Sequence, residues 1–181
     1  MFLRNLNASN SMITDQGITH MTTSLRVLIA ASPSKITDNS VRHLNLSKLI
    51  VTNNSNITDN GIKHMNLHKL YVSGNLNITD ISIKNMSTSL RTLYTTDNTN
   101  ITDNGIKHLN LIKLIAGNND MITDEGIKHM NLKYLVASGK SGITNKGIEN
   151  MKLDCLYADA NENITYNIHY GEKFNTSNLA Y

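Results

Sequence analysis

Several side chains with chemical potential recur in this sequence at a fixed interval. Histidines stand at His20, His43, His64, His108 and His129. A zinc site needs ligands converging to about 2 Å from the metal. One histidine per helix, on axes about 8–10 Å apart, does not converge in that way. No cysteine or carboxylate shares the position, so no metal is expected. A structural role near each helix C-terminus, where the dipole favours a cation, fits better. Cys155 is the single cysteine, flanked by Asp154 and Asp159. A thiolate nucleophile needs a basic neighbour, and those acids oppose one. A lone cysteine forms no disulfide within the chain and fits a reducing, intracellular, cytoplasmic setting. Phosphate-cradling glycine loops, paired catalytic carboxylates and nucleophile motifs are absent. The chain therefore reads as non-enzymatic, with no cofactor.

A basic column also recurs: Arg42, Lys63, Lys84, Lys107 and Lys128. An acid precedes each by four residues: Asp38, Asp59, Asp80, Asp103 and Asp124. Acid before base at that spacing forms helix ion pairs worth about 0.3–0.5 kcal/mol, so the column is expected to neutralise itself. The formal net charge is +3, too small to argue for nucleic acid or an anionic membrane. No apolar run approaches the roughly 18 residues of a membrane span. Neither nucleic acid nor membrane is expected as a partner.

The elements that carry these columns follow from an internal repeat. Ile-Thr-Asp begins at Ile13, Ile36, Ile57, Ile78, Ile101 and Ile122, and returns as Ile-Thr-Asn at Ile143 and Ile-Thr-Tyr at Ile164. The spacings are 23, 21, 21, 23, 21, 21 and 21 residues. Ahead of each phrase runs a second pattern, Leu46-x-x-Leu49-x-Val51-x-x-Asn54-x-x-Ile57, matched from Leu67, Leu90, Leu111, Leu132 and Leu153. A period of this length with regular leucines is similar to leucine-rich repeats. The phrase Ile-Thr-Asp-x-Gly-Ile-x-His-Met resembles the repeats of F-box-type leucine-rich-repeat proteins. No F-box-like helical segment precedes the repeats, so the ubiquitin-adaptor role is not carried over. The Asn, Ile and Lys bias resembles repeat proteins of AT-rich genomes such as giant viruses. The resemblance implies an α/β solenoid, a leucine-rich-repeat horseshoe with a parallel concave sheet and short convex helices. About eight repeats fill residues 1–171, and 172–181 form a tail or partial cap using Phe174 and Leu179.

Local expectations follow unit by unit. Leu-x-x-Leu-x-Val alternates apolar and variable residues, as a strand does. Asn54, Asn75, Asn98, Asn119 and Asn161 are expected inside each turn, pairing backbone groups that would cost about 1–3 kcal/mol each if left bare. Pro33 and Lys140 replace that Asn, so those turns should differ. Thr123 is a candidate N-cap, with Ile122 and Ile127 as a hydrophobic staple and Met130 on the same core face. Gly17, Gly61, Gly105, Gly126 and Gly147 share one helix position with Ser40 and Ser82. Glycine is unfavourable inside a helix, so the neighbouring coil is expected to pass close by. In the two longer repeats the extra pair falls on the helix-to-strand return, and Thr-Ser-Leu-Arg at 23–26 and 88–91 suggests a duplicated block.

Strand side chains alternate faces, so the residues flanking each second Leu should form the concave surface. After it come Asn7, Ile29, Ile50, Tyr71, Tyr94, Ile115, Val136 and Tyr157. Before it come Lys48, Lys69, Thr92, Lys113, Tyr134 and Cys155. Strands about 4.8 Å apart would join the first set into a solvent-facing stripe of aromatic and aliphatic residues. Tyrosine anchors edged with lysine suit a protein interface, although Ile, Val and Tyr also favour sheets by strand propensity. The expected binding residues are Lys48, Ile50, Lys69, Tyr71, Tyr94, Lys113, Ile115, Tyr134, Val136 and Tyr157. The expected function is a non-catalytic module for a protein partner. Two alternatives are a self-associating scaffold, a homodimer through the N-terminal strand edge near Leu3 and Leu6, and the substrate-recognition part of a ubiquitin-ligase-like complex.

Overall fold

The computed structural model describes residues 3–165. Each unit contributes one short strand and one short helix. The strands are β1 (Asn5–Asn7), β2 (Val27–Ile29), β3 (Lys48–Ile50), β4 (Lys69–Tyr71), β5 (Thr92–Tyr94), β6 (Lys113–Ile115), β7 (Tyr134–Val136) and β8 (Cys155–Tyr157). The helices are α1 (Asp15–Ile18), α2 (Asp38–Val41), α3 (Asp59–Ile62), α4 (Asp80–Ile83), α5 (Asp103–Ile106), α6 (Asp124–Ile127) and α7 (Asn145–Ile148). The eight strands form one parallel sheet in sequence order. Their register places the second leucines in a single row, from Leu6 beside Leu28 to Leu135 beside Leu156. This is the α/β solenoid that the repeat implied. The expected tail at 172–181, with Phe174 and Leu179, lies outside the described residues, as does Tyr166 of the last Ile-Thr-Tyr phrase.

The core is one continuous column between sheet and helices. Leu28, Leu49, Leu70, Leu93, Leu114 and Leu135 are fully buried in it, stacked on the Ile of each Ile-Thr-Asp phrase and on the last helical residue of each unit. A four-residue helix does not persist alone in water. Each is held by burying its apolar residue: Ile62, Ile83, Ile106 and Ile127 are all fully covered. The expected cap forms, with the Thr123 hydroxyl accepting from the Glu125 N–H. Thr37, Thr58, Thr79, Thr102 and Thr144 cap their helices in the same way. Ile122, Ile127 and Met130 share the core, as the staple requires.

The turn asparagines are buried and bridge successive coils. Asn98 Nδ2 donates to the carbonyls of Asn75 (2.7 Å) and Ile78 (3.1 Å), while its Oδ1 accepts from the Asn100 N–H (3.1 Å). Asn75 and Asn119 repeat the arrangement. The residue before the Asn position is left-handed in most turns: Asn53, Gly74, Asp97, Asn118 and Ala160 precede an Asn, Gly139 precedes Lys140, and all have positive φ. Asn, Asp and Gly visit that region readily; alanine pays a steric penalty there. The turns lacking Asn do differ. A serine two residues before the Ile accepts the N–H of that Ile, Ser34 from Ile36 (3.3 Å) and Ser141 from Ile143 (3.5 Å), an N–H that the Asn backbone carbonyl takes in most of the regular turns. The Ser32–Pro33 peptide is cis. The two longer repeats carry a 3-10 turn after the helix, at Thr19–Met21 and Lys84–Met86. The extra residues therefore lie on the helix-to-strand return.

Candidate functional site

The convex face departs from expectation. Asp38, Asp59, Asp80, Asp103 and Asp124 do not pair with the basic residue four positions on. Each instead clamps the threonine of the next coil. Asp80 Oδ1 accepts from the Thr102 N–H (2.8 Å), and Asp80 Oδ2 accepts from the Thr102 hydroxyl (2.7 Å). Asp15, Asp38, Asp59, Asp103 and Asp124 hold Thr37, Thr58, Thr79, Thr123 and Thr144 identically. A carboxylate with two such donors gains more from them than from an exposed ammonium. The basic residues settle on nearer partners: Lys63 on Asn60 (3.3 Å), Lys107 on Asn104 (3.1 Å) and Lys128 on Glu125 (2.5 Å). The expected self-neutralising ion pairs are thus absent among the described residues. The Asp clamp also explains the glycines. A Cβ on Gly105 would fall inside the contact radius of the Asp80 carboxylate and 3.1 Å from its Cα. Ser40 and Ser82 fit because their hydroxyls donate to the carboxylates of Asp15 and Asp59.

The histidine column is structural where the structure gives it a partner: His64 Nε2 lies 2.6 Å from the Arg42 carbonyl. Asn85, in the same position of the next unit, donates to the Lys63 carbonyl (3.2 Å). No group of three or more His, Cys, Asp or Glu side chains is placed to hold a metal among the described residues. Nor is any of their helices long and apolar enough to cross a membrane.

The sheet face turned away from the leucine core, concave in this fold, gathers the expected binding residues. The register aligns Lys48, Lys69, Thr92, Lys113, Tyr134 and Cys155 in one column. Ile50, Tyr71, Tyr94, Ile115, Val136 and Tyr157 form the other. This second column is less open than the stripe expected from the sequence. Tyr94, Ile115 and Val136 make a small buried cluster of their own, covered in part by Tyr71 and Tyr157. Ile115 is fully buried, Val136 is 2% exposed and Ile50 is 5% exposed. Aliphatic side chains on neighbouring parallel strands bury one another, and larger tyrosines lean over them. The accessible groups are the lysines, Tyr71, Tyr134 and Tyr157.

Several of these groups stack along the sheet through the buried Tyr94. Lys48 Nζ lies 4.9 Å from the centre of the Tyr71 ring. The Tyr71 and Tyr94 rings stack at 4.0 Å with 16° between their planes. Lys113 Nζ then sits 5.3 Å from the Tyr94 ring and 5.6 Å from that of Tyr134. Cation–π contacts of this kind are worth about 0.5–1 kcal/mol at exposed sites. The ladder crosses five adjacent strands, β3 to β7. Sequence reasoning found its members but missed the stacking, because side-chain lean across a sheet is not encoded in position. Burial pushes the Tyr71 hydroxyl up to about 12, with help from the neighbouring Tyr94. Burial also raises Tyr94. Burial, then the nearby Lys69 ammonium, lowers Lys48. Cys155 is buried beside the ladder, and burial rather than Asp154 or Asp159 raises its thiol, opposed by Lys113.

A repeated strand, Asn-bearing turn and capped helix, stacked into one parallel sheet, define a leucine-rich-repeat-type solenoid. Among solved structures, the chain resembles one from the crystal structure of the Rad7–Elc1 complex of yeast, with a TM-score of 0.65 and 19% sequence identity. The match covers 80% of this chain and 44% of that one, so this chain spans less than half the length of its structural neighbour. No family model and no curated protein matches the sequence.

Proposed function

We propose that this chain is a non-catalytic module that binds a protein partner across the concave sheet face. The observation that carries the reading is the stacked ladder Lys48–Tyr71–Tyr94–Lys113–Tyr134. Rigid tyrosines already held by their neighbours lose little rotamer freedom on binding, which is the property of interface anchors. The structural neighbour is a chain of a two-protein complex, which supports a protein partner here.

The test is the double substitution Tyr71→Ala/Tyr94→Ala. A partner recovered on the immobilised wild-type chain should bind the double variant at least roughly 30-fold more weakly, the loss expected of interface anchors. Calorimetry on the purified pair reads the change. Unchanged affinity, with the variant still folded, removes the concave-face reading.

A further inference from the structure

The chemistry left accessible on this face points to the kind of partner. The aliphatic members of the stripe are already covered: Ile50, Ile115 and Val136 offer at most 5% of their surface. An apolar helix would therefore find little to dock on. What remains is cationic and hydroxylic. Lys48, Lys69 and Lys113 occupy one column, and the strands from β2 to β7 contain no carboxylate. Among the described residues, the acids that follow or flank these strands in sequence include Asp97, in the turn after β5, and Asp154 and Asp159, on either side of β8. Beyond the tyrosines runs a row of small residues, Thr52, Ser73, Thr96, Gly117 and Ser138, none of them charged.

We propose that the occupant of this face is an acidic polypeptide segment, whose Asp and Glu carboxylates meet the ammonium groups of Lys48, Lys69 and Lys113. This inference rests on the concave-face reading and adds the chemistry of the partner. Burial, and after it the Lys69 ammonium, disfavours the charge on Lys48, and an incoming carboxylate opposes both. The tyrosines hold two of the ammonium groups in place, Lys48 over Tyr71 and Lys113 over Tyr94. Ordering them in advance lowers the entropic penalty of binding. A single-stranded nucleic acid is the weaker fit. Its bases would need free aromatic faces, whereas Tyr71 is flanked by Lys48 and Tyr94, and Tyr94 by Tyr71 and Lys113. Three lysines also fall short of the roughly 6–10 phosphate contacts that give nucleic-acid binders their strongly salt-dependent affinity.

The experiment uses a fluorescein-labelled oligoglutamate, read by fluorescence anisotropy at low ionic strength. Four chains are compared: wild type, Lys48→Gln/Lys69→Gln/Lys113→Gln, the same three lysines changed to Arg, and a convex control, Lys63→Gln/Lys84→Gln/Lys107→Gln. The wild-type, arginine and convex-control chains should bind alike. The concave glutamine variant should bind about tenfold more weakly, the combined effect of three exposed ion pairs. Circular dichroism melts establish that each variant is folded, and the arginine variant keeps the charge test valid if glutamine perturbs the ladder. The proposal is overturned by equal binding to the concave glutamine variant, by loss in the convex control instead, by no binding to wild type, or by tighter binding of an oligothymidylate probe. If it is overturned while a captured protein still depends on Tyr71 and Tyr94, the concave-face reading survives and only the acidic partner is rejected.

Discussion

At the scale of single residues, the molecule depends on side chains that belong to two coils at once. Asn98 satisfies carbonyls of the preceding turn and an N–H of its own. Asn98→Ala removes the amide donor from the buried Ile78 carbonyl and leaves the Asn75 carbonyl only the Ile78 N–H. The expected loss is about 2–4 kcal/mol, read by urea denaturation; Thr99→Ala, exposed in the same turn, should change stability little. A loss below that of the Thr99 control would mean water replaces the amide. The role of these asparagines was legible in the sequence because their spacing tied them to the turn. The serines of the exceptional turns were not. Ser34 and Ser141 lie one residue beyond Pro33 and Lys140, and a position-by-position frame looks for the substitute in the vacant place itself. The left-handed column was equally hidden, since Asn53, Gly74, Asp97 and Ala160 share a backbone angle and no common side chain.

At the scale of the element, each helix is a single turn fixed by contact with the coil before it. Gly105 lies against the Asp80 carboxylate, whereas a Cβ on Gly17 would meet only Ile13 Cγ2 at 3.6 Å, an ordinary contact. Gly105→Ala should therefore destabilise by about 1–3 kcal/mol through overpacking. Gly17→Ala should be neutral or stabilising by about 0.5–1 kcal/mol, since alanine suits a helix better. Thermal melts of the two variants read the difference, and equal shifts would dismiss the carboxylate as the reason for glycine. The sequence correctly indicated a close approach here and misassigned the acids. Asp and Lys four residues apart can pair on any helix. A threonine on the following coil, presenting both N–H and hydroxyl, is a better partner and is visible only once the coils are stacked.

At the scale of the whole molecule, stability is shared between neighbours. A coil with neighbours on both sides makes two sets of Asn and Asp contacts, whereas β1 pairs only with β2 among the described residues. A stack of this kind opens from where neighbours are fewest. Amide exchange followed by mass spectrometry should find β1 exchanging well before β4 to β6. Equal protection along the sheet would show that unfolding is all-or-none or that β1 is covered in solution. The fold was largely readable because many positions repeat one message. The binding face was readable only as a set of residues, because whether an isoleucine on a sheet is open or covered depends on how its neighbours lean.

The clamps between coils run in one direction, each Asp reaching forward to a Thr and each Asn reaching back to carbonyls. A segment cut at the same point of two units that keep both the Asp and the Asn carries both halves of the device and can be rejoined without an orphaned group. Such a gene can gain or lose length by in-phase recombination with no repair of the junction. The Thr-Ser-Leu-Arg segments at 23–26 and 88–91 stand 65 residues apart, as do Ile13 and Ile78, which is the trace that one copying event of three units would leave.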